Sequence, residues 1–264
     1  MIKAVFFDID GTLVSFNTHK VADSSKEAIR LLKEKGIKVF IASGRALFLI
    51  DNLDDLEFDG YITINGCSCF INDNGNIKEI YRETFDKNDL FSLNDYLKTD
   101  KIPCAVITNN DMFINYQDDT IKHLYSMANV QIPKTVDLDD YIKNNYNDIL
   151  QLNIFTDENK EKYLMDNVLK NSKSSRWHFS FADINPKNSG KDIGIDKIIE
   201  HFGINLDETM AFGDGGNDIG MIEHSALGIA MGNANESVKK IADYITDDVD
   251  NDGVYKALKH FNVL

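Results

Sequence analysis

The chain has little with which to cross-link itself, to span a membrane or to attract a polyanion. Its three cysteines, Cys67, Cys69 and Cys104, are odd in number and lack Cys-x-x-Cys spacing. They suit reduced structural thiols better than a disulfide framework or a zinc site. No apolar run reaches the roughly 18 residues of a membrane-spanning helix. The N-terminal segment, one lysine and then a strand ending in acids, lacks the basic, apolar and small-residue plan of a signal peptide, so cytoplasmic residence is expected. Positive charge is scarce: 28 Lys and Arg face 43 Asp and Glu, a net charge of −15. Nucleic acid and anionic membranes are poor partners for such a chain, because either would need a basic stripe to displace counterions. Sequence repeats and low-complexity segments are absent as well. What remains is 264 residues, 43% of them hydrophobic, enough for one large or two ordinary domains with a full core.

The most informative stretch runs from Ile2 to Val14, Ile-Lys-Ala-Val-Phe-Phe-Asp-Ile-Asp-Gly-Thr-Leu-Val. A short continuous apolar run of this kind predicts a strand buried on both faces, as in a parallel sheet. Asp8 and Asp10 fall where it stops. Acids at i and i+2 of an extended segment point the same way, and two neighbouring carboxylates need a cation or a proton between them. Gly11 permits a sharp turn directly afterwards, and Thr12 offers a hydroxyl and an N–H there. Open α/β sheets bind ligands outside the carboxyl ends of their strands, which is where these acids lie.

Downstream, Ser24-Ser25 can cap a helix that runs to about Lys35 and ends at Gly36. Ile37 to Ile41 predicts a second apolar strand, followed by Ser43-Gly44-Arg45 and a helix start, so that strand, helix and strand form a βαβ unit. A third strand, Tyr61 to Ile64, ends in Asn65-Gly66, and Asn72 to Asn76 reads as a hairpin turn leading to Ile77 to Tyr81. From about Thr84 the pattern changes. Helices over Asn88 to Lys98 and Asp157 to Lys170 alternate with strands over 105–108, 112–116, 149–155 and 177–181, an α+β pattern with an antiparallel sheet. The chain is expected to return to the first domain near Asp183 to Pro186. A helix over Ile193 to Phe202 and a strand over Thr209 to Gly213 then lead into Gly213-Asp214-Gly215-Gly216-Asn217-Asp218. A helix to Glu223, strand Leu227 to Ala230, helix Glu236 to Ala242 and strand Tyr244-Ile245 follow. The fold class is α/β, a Rossmann-like parallel sheet in two halves, 1–83 and 184–264, around an inserted α+β domain, 84–183.

Four polar clusters thus stand just past apolar strands or at helix starts: Asp8/Asp10, Ser43/Arg45, Lys191 and Asp214/Asn217/Asp218. This set resembles the haloacid dehalogenase superfamily. Within it, Met-Ala-Phe-Gly-Asp-Gly-Gly-Asn-Asp (210–218) and Ile-Ala-Met-Gly-Asn-Ala (229–234) look like the Cof-type sugar phosphatases, which carry a large cap. The resemblance implies that Asp8 is a nucleophile forming an aspartyl phosphate. Asp10 would protonate the leaving alkoxide and later take a proton from water, which calls for surroundings that favour its neutral acid. It implies Mg²⁺ held by the Asp8 carboxylate, the Asp10 backbone carbonyl and Asp214, with Asp218 in support. Ser43 would donate to the transferring phosphoryl group at a helix N-terminus. Thr12, Gly44, Arg45, Asn65 and Asn217 are implied around phosphate and substrate, and Lys191 as the charge-neutralising lysine. Family members commonly have glycine after that lysine, whereas this chain has Asp192, and Lys187 is a competing candidate. In the cap, Arg176-Trp177-His178 is the densest group able to stack on a sugar.

The expected activity is a Mg²⁺-dependent phosphatase of small phosphorylated metabolites, sugar phosphates foremost. A phosphomutase shares the same motifs, although the long insert and the form of residues 213–218 favour hydrolysis. A phospho-aspartate signalling domain also puts phosphate on a strand-end Asp, but it is about half this length, a single domain with adjacent early acids, and the Asp10 acid/base and the insert argue against it. The sequence assigns no oligomeric state.

Overall fold

A computed structural model describes residues 1–51, 53–127 and 131–264, with Met127, Trp177 and His178 described by backbone alone. In chain order the elements begin with β1 (Ala4–Phe7), α1 (Asp23–Glu34), β2 (Lys38–Ala42), β3 (Gly60–Thr63), β4 (Ser68–Asp73) and β5 (Asn76–Arg82). There follow α2 (Lys87–Thr99), β6 (Cys104–Ile107), β7 (Met112–Ile114), α3 (Asp119–Met127), β8 (Lys134–Thr135), α4 (Leu138–Asn145), β9 (Gln151–Ile154), α5 (Glu158–Asn167), β10 (Ser172–His178) and β11 (Phe181–Pro186). The chain closes with α6 (Lys191–Phe202), β12 (Thr209–Gly213), α7 (Ile219–His224), β13 (Leu227–Ala230), α8 (Glu236–Lys239), β14 (Tyr244–Ile245) and α9 (Gly253–His260). These elements form two compact units, Met1–Arg82 with Ser189–Leu264, and Glu83–Asn188. Among the described residues no helix is long and apolar enough to cross a membrane.

The first unit is built on a sheet of order β14-β13-β12-β1-β2-β3-β4-β5, parallel from β14 to β3 and antiparallel at the β4–β5 hairpin. All four residues of β1 are fully buried, as its uninterrupted apolar run requires. Val5 and Phe7 pack with Ile29 of α1 and Leu258 of α9 on one face, and Ala4 and Phe6 with Ile198 of α6 and Met221 of α7 on the other. Phe6 stacks on Phe40 and Phe7 on Phe212, at centroid separations of 4.9 and 5.2 Å. Burying such a ring stabilises the fold by about 2–3 kcal/mol. The chain leaves β1 toward β2 and later returns on its other side as β12. The carboxyl ends of β1, β2 and β12 therefore meet at a topological switch point, where side chains can converge on a ligand.

Local chemistry explains most boundaries. α1 begins at Asp23 rather than at a serine cap: Ala22 occupies the N-cap with no side-chain bond, and Ser25 is buried. Gly36, at φ +74°, ends the helix in the left-handed conformation glycine tolerates. Asn74 and Gly75, both left-handed, close the β4–β5 hairpin. Among the described residues the helix expected after Ser43-Gly44-Arg45 is replaced by a single 3₁₀ turn, Leu47–Leu49. α9 lies beyond the last element read from the sequence; its apolar stripe, Val254, Ala257 and Leu258, packs in the same core cluster as Val5 and Phe7 of β1.

The second unit has a sheet of order β10-β11-β9-β6-β7-β8, antiparallel except for β7 with β8. Leu90 and Leu93 of α2, Ile142 of α4 and Leu164 of α5 cover one face, against Val106, Leu152, Ile154, Ala182 and Ile184. Asp86, Asp137 and Asp157 each accept backbone N–H groups at the starts of these helices, which satisfies donors the helices cannot bond internally. The strand expected over 177–181 is instead a hairpin, with β10 ending at His178 and β11 starting at Phe181. The alternation of Ala182 and Ile184 with Asp183 and Asn185 belongs to β11, so 183–186 is still sheet of this unit and not a return segment. Cys67, Cys69 and Cys104 are buried free thiols, and burial pushes the Cys104 thiol up to about 12, which keeps it unreactive.

Candidate active site

Asp8 extends the β1 ladder by one bond, its N–H donating to the Phe212 carbonyl at 3.0 Å. The residue is buried, with its side chain 10% exposed. Lys191, the first residue of α6, places a buried ammonium between two acids. Its Nζ lies 2.7 Å from Asp8 Oδ1 and 2.5 Å from Asp218 Oδ1. The other oxygen of Asp218 accepts the N–H groups of Asp214 (3.0 Å) and Gly215 (2.9 Å), so every lone-pair direction of that carboxylate toward the turn is used. This explains the glycine before Asp214, since a Cβ on Gly213 would come within 2.5 Å of the Asp218 Cβ. Lys187 belongs to the second unit and is exposed; Lys191 is the lysine that reaches the carboxylates. Asp192, in place of the family's usual glycine, is accommodated by other glycines. A Cβ on Gly190 would lie 2.1 Å, and one on Gly220 3.2 Å, from its Oδ1.

Asp214 comes from the end of β12. Its Oδ1 accepts the Thr12 hydroxyl at 3.2 Å, and Gly11, at φ +83°, must lack a side chain because a Cβ there would sit 2.3 Å from Asp214 Oδ2. The Thr12 hydroxyl thus orients Asp214, and its N–H bonds the Ile9 carbonyl at 3.3 Å; the sequence reading expects it around phosphate and substrate. Asn233, one of the residues of the 229–234 run to which that reading gave no role, donates to the Gly11 carbonyl at 2.8 Å and accepts the Val249 N–H at 2.9 Å. It ties the β1 turn to the loop after β13. Its only sequence signal is its place after Gly232 at the end of an apolar strand.

Asp8, Asp214 and Asp218 offer oxygens that all lie within 4.8 Å of one another. Three buried acids share one buried lysine. Burial first, and then the Asp218 charge, raise the Asp8 carboxyl well above its ordinary range. The same two causes push Asp214 up to about 7. Burial alone would lower Lys191, but Asp218 and Asp8 more than offset it and hold the ammonium charged. A compact, oxygen-only, under-neutralised donor set of this kind fits a hard divalent cation such as Mg²⁺.

Asp10 is placed differently. Arg45 grips both of its oxygens, Nε to Oδ2 at 2.9 Å and Nη2 to Oδ1 at 2.7 Å. Ser43 is buried at the end of β2 and its hydroxyl accepts the Arg45 N–H at 3.1 Å; a loop, not a helix start, holds it. Asn65 sits in a turn where Ile64, Asn65 and Gly66 all have positive φ. A β-branched residue in that region is strained by about 1–2 kcal/mol, and the turn is pinned by the Ile64 and Asn65 N–H groups on the carbonyls of Arg45 and Ser43. The Asn217 amide donates to Asn65 Oδ1 at 3.0 Å, and the bare Cα of Gly44 faces both side chains. Ser43, Gly44, Arg45, Asn65 and Asn217 are thus one connected group. Arg176 forms an ion pair with Glu161 at 2.5 Å, while the side chains of Trp177 and His178 lie outside the described residues.

Comparison with known proteins identifies relatives of the whole chain. The family of haloacid dehalogenase-like hydrolases matches residues 5–258. A solved phosphatase of the haloalkanoate enzyme superfamily, BT1666 from Bacteroides thetaiotaomicron, is 35% identical over 100% of this chain and 96% of its own, with a TM-score of 0.92. The subclass IIB sugar phosphatase BT4131 is 39% identical over 99% of this chain and 100% of its own, with a TM-score of 0.88. The 5-amino-6-(5-phospho-D-ribitylamino)uracil phosphatase YcsE of Bacillus subtilis (strain 168) is 29% identical, covering 98% of this chain and 96% of that protein. The chain belongs to the haloacid dehalogenase-like hydrolases and is a phosphatase of that family.

Proposed function

We propose that the chain is a Mg²⁺-dependent phosphatase of small monophosphorylated metabolites, sugar phosphates foremost, working through an aspartyl phosphate on Asp8, with the second unit as its cap. The observation that carries the reading is the buried Asp8 carboxylate at the end of β1, bonded to Lys191 and within 4.8 Å of Asp214 and Asp218 oxygens. Likeness to a sugar phosphatase favours sugar phosphates over other small substrates.

Asp8 attacks phosphorus as the oxygen–phosphorus bond to the leaving group breaks, and Asp10 gives its proton to the departing alkoxide. In the second half Asp10 takes a proton from the water that attacks the aspartyl phosphate, and inorganic phosphate is released. Lys191 keeps positive charge beside Asp8 throughout, and Asp218 holds Lys191 in place. Ser43 and Asn217 orient the phosphoryl oxygens. Asp8, Asp214 and the Asp10 carbonyl, with Asp218 in support, would hold Mg²⁺, which supplies charge neutralisation between an anionic nucleophile and an anionic phosphoryl group.

Acid quench of the enzyme during turnover of a ³²P-labelled sugar phosphate is expected to trap label on Asp8, removable by hydroxylamine as an acyl phosphate must be. Label on another residue, or none during rapid turnover, would exclude the covalent route.

Metal binding has a pH signature. The Asp8 and Asp214 carboxyls are raised in the fold, so the folded metal-free protein keeps protons that the unfolded chain releases. Their contribution to stability is complete below the ordinary carboxylate range, near pH 4, and is lost as pH rises through about 7. Metal-free protein should therefore melt lower at pH 8 than at pH 5. Saturating Mg²⁺ is expected to raise the melting temperature by about 5 °C at pH 8 and by little at pH 5, where protons compete for the ligands. Equal gains at both pH values in a thermal melt would count against this ligand set.

A further inference from the structure

Asp8 and Asp10 leave the same strand two residues apart, yet their partners differ in kind. The Lys191 link to Asp8 and Asp218 is closed to water, with side chains 1%, 10% and 1% exposed. The Arg45 link to Asp10 is open, at 31% and 41%. Arg45 comes from the loop that carries Ser43, and its Nη1 also donates to the Leu49 carbonyl at 3.2 Å. Its fork bonds both Asp10 oxygens, so the carboxylate is held turned toward Arg45. An acid and base that must meet the leaving group has to turn away from that fork to do so.

We infer that Arg45 is an exchangeable clamp: in the free enzyme it parks Asp10, and the phosphoryl group of a bound substrate takes the guanidinium over, releasing Asp10 toward the leaving oxygen. This rests on the reading of Asp10 as acid and base. A guanidinium fork matches phosphoryl oxygens as well as it matches a carboxylate, and a phosphoryl dianion carries twice the charge of Asp10. A solvent-open ion pair contributes little by itself, so the exchange has a small barrier to overcome, unlike the buried Lys191 pairs. Asp10 then becomes mobile only when there is a phosphoryl group to act on.

The test is a double-mutant cycle read by calorimetric binding of inorganic phosphate in Mg²⁺ buffer at one pH. Removing the competitor in Asp10→Ala should tighten phosphate binding about tenfold where Arg45 is present, and by no more than about twofold between Arg45→Ala and the double variant. Arg45→Lys, which keeps the charge but loses the fork, should retain less than half of that coupling. Equal tightening in both backgrounds would mean simple relief of charge repulsion and would overturn the clamp, as would weaker binding by Asp10→Ala. Turnover of an alkyl phosphate separates the two readings. Full activity of Asp10→Ala removes the acid role and the release with it, whereas lost activity without coupling removes the clamp alone.

Discussion

Asp8→Asn is expected to lower kcat toward p-nitrophenyl phosphate by about 10⁴-fold or more while leaving the melting temperature unchanged or higher. The amide keeps the shape of the carboxylate but has no anionic oxygen to bond to phosphorus, and loss of a covalent nucleophile removes a whole step of the reaction. The stability half follows from the crowding of the site. Asp8 is raised chiefly by burial and next by Asp218, so a neutral isostere removes a charge that the fold accommodates at a cost. An Asn variant that kept a tenth of wild-type turnover, with deamidation excluded by mass spectrometry, would remove Asp8 from the reaction. A variant that lost activity by unfolding would show it in the same melt.

Lys191→Met carries the second large effect, and it acts on both activity and stability. The thioether fills the channel along which the lysine stem runs but leaves Asp8, Asp214 and Asp218 without their shared cation. Breaking a buried pair by deleting one partner typically costs about 3–5 kcal/mol, because the remaining charge is left uncompensated. Here the acids can take up protons instead, so the loss depends on pH. It should be smallest near pH 5, where the raised carboxyls hold their protons, and largest near pH 8, above the value of about 7 for Asp214. A drop in kcat of about 10³-fold is expected alongside. Melting curves at the two pH values and turnover at pH 7.5 check it. A melting temperature lowered equally at both would show that Lys191 contributes packing and not charge.

Much of this site could be read before any coordinates, and the reason is local. Asp8, Asp10 and Asp214 announce themselves because each stands at the end of an apolar strand, Asp8 and Asp214 directly after it, with glycine next to Asp10 and Asp214. The strand that buries β1 on both faces and the turn that exposes its last residues are properties of about ten consecutive side chains. Gly11 and Gly213 are legible on the same terms, although the atoms that forbid a side chain there, Asp214 Oδ2 and Asp218 Cβ, lie on other segments or further along the turn. Where local pattern is ambiguous the reading failed: residues 177–181 look like one strand because Trp177, Phe179 and Phe181 alternate with His178 and Ser180 across a hairpin turn, and the loop after Ser43 looks like a helix start because small polar residues serve both.

The sequence by itself determined which chemistry the chain could support, since acids at strand ends, a lysine at a helix start and glycines at turns are set by neighbours in the chain. Only the tertiary structure decided who meets whom. Thr12 orients Asp214 across 202 residues, and Lys191 reaches Asp8 across 183. Arg45 takes Asp10, Asn217 takes Asn65, and Asn233 holds Gly11. Those pairings follow from β12 and β2 flanking β1 in the sheet, and strand order is fixed by packing of the whole core, which no short window of sequence contains.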